Sequence, residues 1–355
     1  MKLKNFSKIY LTKDAENYPL TKKILKKISY AEKHYVFPGD LHFKPHLEPA
    51  LITESKKNLF LTVRKENFIE KCPGTPAHLC CNYFVAKNIL GCPADCSYCY
   101  LQAYINLKAV TIFVNTDDFL NDFGKKAAGG KFRIGTGEFS DSFFLDDLLN
   151  INKELIKICS STESFLELKT KSAEVKDILG LEHKGRTVIA WSIAPEEIIK
   201  TEEKGSASLG ERIIAAAKCA EAGYPVALHF DPLIYFPLWQ KAYASLVENI
   251  FSVLPPKKVI WVSLGALRFH PHLKAVLYER FPDSKILFGE FIRGDDGKFR
   301  YLKYIRAEMF EKITGILRRF DKNMRIYLCM ESPELWKSVF GREPKKIKNL
   351  NLIFG

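Results

Sequence analysis

The stretch Gly91-Cys92-Pro93-Ala94-Asp95-Cys96-Ser97-Tyr98-Cys99-Tyr100-Leu101-Gln102 decides how the rest of the chain reads. Its cysteines are spaced C-x3-C-x2-C, and three thiols so close in sequence reach one centre only if the backbone turns tightly. Gly91, Pro93 and Asp95 are residues that favour such a turn. Thiolate donors suit zinc or an iron–sulfur centre. A closed structural zinc site takes four ligands, and no fourth partner stands at a regular spacing. Three cysteines on a four-iron cluster would instead leave one iron open for chemistry.

Outward from the loop the pattern is regular. Strands are expected at 83–86, 110–114, 132–135, 165–168, 188–192, 226–230 and 259–263, where β-branched and aromatic residues cluster. Helices are expected between them at 116–125, 145–159, 209–222 and 238–253, the third of these stopping at Gly223-Tyr224-Pro225. Such alternation implies parallel strands with crossover helices, and it leaves a barrel and an open sheet both standing. A ligand loop at the mouth of the first strand is where a barrel places its site. Before the loop, a helix at 20–29, a loop rich in proline and histidine at 38–49 and a strand at 59–64 are expected. After Gly265, Gly294-Asp295-Asp296-Gly297 reads as the turn of a hairpin over 288–301, followed by a helix at 307–320 and a strand at 325–329. The chain therefore divides into an N-terminal extension (1–75), an α/β core (76–265) and C-terminal elements packed on it (266–355).

The chain has 355 residues, 47% of them hydrophobic and 27% charged, which is ordinary globular composition with material for a sizeable core. No run of apolar residues is long enough to span a membrane. Residues 1–5 carry lysines but no apolar stretch follows, so no secretory leader is expected and the protein should be cytoplasmic. A net charge of +13 favours polyanionic partners, nucleic acid first, with a plain solvated basic surface as the alternative. Nine cysteines, an odd number, argue for thiols or metal ligands rather than a disulfide framework. Cys72, Cys80 and Cys81 read either as loop thiols or as ligands of a second metal.

The loop resembles the cluster motif of the radical S-adenosylmethionine (SAM) superfamily. Its continuation, Cys96-Ser97-Tyr98-Cys99-Tyr100-Leu101-Gln102, resembles that of the spore photoproduct lyase family, as do Tyr18-Pro19-Leu20, Val63-Arg64-Lys65 and the passage from Arg212 to Pro225. The resemblance spans most of the chain. It implies a partial (β/α)6 TIM-like barrel carrying a [4Fe–4S] cluster on Cys92, Cys96 and Cys99. S-adenosylmethionine would bind the open iron and be cleaved to a 5′-deoxyadenosyl radical for repair of thymine lesions in DNA. A flavodoxin or ferredoxin would serve as electron donor to a monomeric enzyme. By position, the resemblance makes Glu138, Lys171 and Ser192 SAM contacts and Tyr98 and Tyr100 members of a radical relay. The hairpin residues Arg300 and Lys303, with Arg268 and His270, become substrate contacts.

On the residues alone these positions keep plainer readings. Lys171 is then a solvated lysine, Ser192 a strand serine bonded to backbone, Glu138 a helix-start carboxylate, and the hairpin an ordinary solvated one. One departure stands out. The family's hydrogen-donating cysteine, downstream of the cluster, has no counterpart, because no cysteine lies between Cys99 and Cys159. The corresponding stretch carries Thr136, Ser140 and Ser142, and Cys159 is expected on the far side of the barrel. Two other functions stay open: radical chemistry on a different nucleic acid or a peptide, and a nucleic-acid-binding protein with a structural metal.

Overall fold

The computed structural model describes residues 6–75, 77–346, 350 and 353. The expectation for residues 1–5 lies outside them. A curled sheet of eight strands carries the architecture, in the order Ile326–Leu328, Val259–Ala266, Val226–Leu233, Thr187–Ser192, Phe165–Thr170, Arg133–Gly135, Tyr83–Ala86 and Ile69–Lys71. The first seven run parallel, and Ile69–Lys71 pairs antiparallel on the edge. Strands such as Thr187–Ser192 (TVIAWS) are buried along their whole length. Near-continuous apolar runs are what parallel strands need when helices cover one face and the barrel interior the other.

The two parallel end strands, Tyr83–Ala86 and Ile326–Leu328, do not pair with each other, so the sheet is a partial barrel with a seam. Residues 72–75 and 77–82 lie along that seam. Cys72 N–H donates to the Tyr83 carbonyl at 2.8 Å, and Leu79 N–H to the Glu331 carbonyl at 3.1 Å. Inside the barrel, buried Glu167 accepts from Arg133 Nε at 2.6 Å and pairs with His229 Nε2 at 2.7 Å. Arg133 also donates to the Tyr327 hydroxyl at 2.9 Å. These groups fill the barrel floor, because a buried charge needs a partner.

A second sheet takes the order Glu32–Tyr35, Lys8–Leu11, Asn58–Thr62, Val110–Phe113 and Ile89–Leu90, the last pair antiparallel. The strand expected at 110–114 forms here, as Val110–Phe113, and not in the barrel. Its Val110 and Ile112 join Leu59, Leu61 and Ile89 in a separate small core, while Phe113 packs into the main one.

The helix expected over 145–159 is two helices, Asp146–Leu149 and Ile151–Ser160, broken at Asn150, which sits at φ 54°. Asp146 caps the second by accepting from the N–H groups of Ile151 (2.9 Å) and Asn152 (3.1 Å). Ser208 and Glu211 form a reciprocal cap on Leu209–Glu221. The hairpin pairs Ile292–Arg293 with Phe299–Arg300, and Arg268–Phe269 adds a third strand. Lys303–Phe320 follows as a long helix. The strand expected to end the chain is followed by a further helix, Pro333–Phe340, which buries Leu335 and Trp336.

Candidate active site

Three thiols share one loop beyond the C-terminal end of the first barrel strand, and much of the surrounding structure holds that loop still. Asp95–Cys96 pairs antiparallel with Glu203–Lys204, and Ser97 N–H donates to the Glu202 carbonyl at 2.8 Å. Gln102 Nε2 donates to the carbonyls of Cys96 (3.0 Å) and Ser97 (2.7 Å). Arg280 donates to both carboxylate oxygens of Asp95 at 2.9 Å and to the side-chain carbonyl of Gln102. Lys56 Nζ closes the other side, bonded to the carbonyls of Cys92 (3.1 Å) and Ala94 (2.5 Å).

Desolvation pushes the Cys92 thiol up to about 12 and Cys96 higher still. Such thiols ionise only beside a cation, and cluster iron is one. Among the described residues no three His, Cys, Asp or Glu side chains are grouped to hold one metal ion. That geometry gives no support to a single structural zinc, or to a second metal on Cys72, Cys80 and Cys81. Three cysteines of a four-iron cluster bind separate irons, so they need not meet at one point. The donor set fits a [4Fe–4S] cluster.

Around the loop the strand ends present charged groups. Lys171 Nζ donates to the Tyr98 hydroxyl at 2.8 Å and to Glu203 at 2.6 Å, and Tyr98 also donates to Glu203. Burial works to protonate Glu203, but Lys171 and Arg212 outweigh it and hold the carboxyl at about 2. Arg212, itself fully buried, donates to Glu203 and to the Ser192 carbonyl at 2.9 Å. Asp141 accepts from Thr170 Oγ1 and Lys171 N–H, both at 2.7 Å, and so ties the end of Phe165–Thr170 to the loop after its neighbour Arg133–Gly135. Glu138 pairs with Lys169 at 3.2 Å, while its backbone carbonyl accepts from the Tyr100 hydroxyl at 2.7 Å.

Glu138, Lys171, Tyr98 and Tyr100 thus gather at the mouth with the three cysteines, and Ser192 lies buried at its strand end. The expected substrate residues are more dispersed. Arg268 is at the mouth, paired with Asp231 at 3.1 and 3.2 Å. Arg300 is buried within the hairpin, where it braces the turn through Asp296 at 2.6 and 2.8 Å. Lys303 is exposed at the start of its helix, and His270 caps Pro271–Arg280. Cys159 Sγ sits 3.3 Å from the Ser164 carbonyl and 3.6 Å from that of Arg186, at the strand starts and away from the mouth.

Sequence reasoning missed Lys56, Asp141, Glu203 and Arg280, and it saw Arg212 only as the start of a family-like passage. Gln102 was visible as part of the motif. Glu203 gave no signal, since its tyrosine partner is 105 positions away.

Comparison with known proteins points one way. The family model described as spore photoproduct lyase matches residues 5–327. The spore photoproduct lyase of Clostridium acetobutylicum is 27% identical over 331 residues, covering 91% of this chain and 96% of that one. The Bacillus subtilis enzyme of the same name is 28% identical over 249 residues, 66% of this chain and 73% of that protein. A solved spore photoproduct lyase variant with bound S-adenosylmethionine and dinucleoside spore photoproduct superposes with a TM-score of 0.79 at 22% identity. It covers 91% of this chain and 99% of its own, which establishes the same fold.

Proposed function

The chain belongs to the spore photoproduct lyase family, and on that premise we propose that it repairs the spore photoproduct, a thymine lesion of DNA, by radical SAM chemistry. The observation that carries this is the braced loop of Cys92, Cys96 and Cys99 at the barrel mouth, beside Glu138 and Lys171. When bound there, a [4Fe–4S] cluster on those cysteines and S-adenosylmethionine supply a carbon radical that removes hydrogen from the lesion.

The residues of the chain position the reactants. Asp141 fixes the backbone of Lys171, and Glu203 holds its ammonium against Tyr98. Lys171, Glu138 and Ser192 serve the bound S-adenosylmethionine. Tyr98 and Tyr100 flank the third cysteine as phenols for hydrogen transfer. Arg268, oriented by Asp231, meets the lesion at the mouth.

DNA enters over the hairpin. Exposed Arg293 and Lys303 face phosphate there, and exposed Ile292 suits a wedge against a base step. Arg300 shapes the hairpin through Asp296 instead of contacting phosphate directly. The surplus of positive charge supports this partner and a small acidic flavodoxin or ferredoxin as electron donor. We take the enzyme to work as a cytoplasmic monomer.

The test is anaerobic turnover of dinucleoside spore photoproduct with dithionite and S-adenosylmethionine. The proposal expects 5′-deoxyadenosine and the restored thymine dinucleoside together. S-adenosylmethionine cleavage that restores no thymine would rule out this substrate.

A further inference from the structure

A base that reacts at a barrel mouth must first leave the duplex stack, because its neighbours cover it there. A lesion joining two nucleosides leaves a wide gap in its own strand and unpaired adenines in the other. Proteins that open a duplex fill such space with apolar side chains. The hairpin offers one of these, Ile292. A single side chain is too small for a gap of that width.

Resting on the repair function, we propose that the loop Tyr235-Phe236-Pro237-Leu238 is a second wedge, which enters the duplex beside the hairpin and packs against the bases left unpaired. The loop leaves the C-terminal end of the barrel strand Val226–Leu233, so it stands at the mouth. It is tied to the base of the hairpin. Tyr235 N–H donates to the Tyr301 hydroxyl at 3.1 Å, and the two rings lie 6.0 Å apart. Tyr301 in turn stacks at 4.9 Å on Phe291, the residue before the hairpin strand Ile292–Arg293. Loop and hairpin thus form one continuous edge.

Leu238 is the tip of the wedge. Its side chain is 75% exposed, and its φ of 63° and ψ of 18° place it in the left-handed region that leucine rarely adopts. The chain on both sides of the tip is fixed. Trp239 is buried against Tyr243, and Ile234 N–H donates to the Tyr243 hydroxyl at 2.9 Å. Leu238 is therefore held out in water by a rigid turn, at a conformational cost that asparagine or glycine would lessen. It is not an isolated exposed leucine. Tyr235, Ile292 and Tyr304 are exposed on the loop, the hairpin and the helix that follows it.

Continuity with the hairpin selects the occupant. Lys241 and Lys303 are exposed beside the apolar tip, while Glu308 is taken up by Gln240 Nε2 at 3.3 Å. Apolar and aromatic side chains set between cations match DNA, whose bases take the first and whose phosphates take the second.

The test compares three substrates of the reconstituted enzyme: dinucleoside spore photoproduct, the lesion in single-stranded DNA, and the lesion in a duplex. Of these, the duplex has paired bases to open. Leu238→Asn removes the apolar tip and keeps a residue suited to the left-handed turn, so the fold should hold. It should lower thymine restored from the duplex about tenfold, the weight of one leucine side chain moved out of water, and leave the other two substrates as in wild type. Val253→Asn, which changes an exposed apolar residue beyond the far end of Trp239–Phe251, should alter none of the three. As a second readout, 2-aminopurine opposite the lesion should brighten when saturating cluster-free wild type binds the duplex, and Leu238→Asn should lose most of that rise. A Leu238→Asn enzyme that repairs the duplex as well as wild type, that loses all three substrates equally, or that keeps the full fluorescence rise overturns this inference alone. A wild type that restores thymine from none of the three overturns the repair function and the wedge with it.

Discussion

Replacing Glu203 by glutamine removes a negative charge from a place where two positive ones depend on it. Glu203 is 1% exposed; it accepts from Lys171 Nζ at 2.6 Å, from Arg212, which has no exposed surface, and from Tyr98. Against the cost of burial, these partners bring its carboxyl from 4.5 down to about 2, a fall worth roughly 3 kcal/mol of folding stability. Removing one member of a buried ion pair costs about 3–5 kcal/mol, so the two routes agree. Because the folded-state value is the lower one, this stabilisation is fully present above pH 4.5 and is lost as pH falls toward 2. Urea unfolding of the cluster-free protein should place Glu203→Gln about 3 kcal/mol below wild type at neutral pH. The gap should narrow as the pH drops below 4.5. Since Glu203 pairs with Cys96 across the short two-stranded ladder, the variant should also bind less iron. A variant within about 0.5 kcal/mol of wild type at neutral pH, with full iron content, would refute the reasoning.

Other substitutions probe separate parts of the account. Arg280→Met frees Asp95 and Gln102 from their shared clamp, and should reduce iron bound per chain on reconstitution while circular dichroism stays as in wild type. Gly135→Ala would put a methyl group 1.9 Å from the Tyr83 hydroxyl, and should cost about 1–3 kcal/mol in denaturant unfolding. Adding Tyr83→Phe should recover part of that. Arg293→Ala with Lys303→Ala should weaken duplex binding for all sequences alike and lower the salt slope by about 2, measured by fluorescence anisotropy across salt concentrations.

The barrel strands were legible, though not their curling into a barrel, because they are buried on both faces. Thr187–Ser192 and Val259–Ala266 are nearly continuous apolar runs, and an interior strand of a parallel sheet admits little else. The cysteine loop was legible because its ligands lie close together in sequence. What stayed hidden was long-range. Nothing local in Val110–Phe113 says which sheet it joins; Leu59 and Ile89 decide that by packing. Asn150 breaks a helix whose apolar period runs on through the break, since Asp146 offers a cap at that point. The terminal helix carried a local signal in Ser332-Pro333, a good start, and that signal was overlooked.

Charge pairing was the least visible layer. Arg300 looks like a free cation on a hairpin, but Asp296 in the turn claims it. Lys171 looks solvated, yet Glu203 holds it through a chain reversal that no local pattern records. Cys81 and Cys329 could not be read as neighbours, because the curl of the sheet brings Tyr83–Ala86 and Ile326–Leu328 towards each other without pairing them.

The most direct measurement is thymine restored in irradiated spore-type DNA by the anaerobically reconstituted protein, quantified together with 5′-deoxyadenosine, for wild type and Cys96→Ala. The account predicts that the wild type forms a brown cluster and produces both compounds, and that Cys96→Ala produces neither. A protein that binds no iron, or one that restores thymine equally well without Cys96, would contradict it.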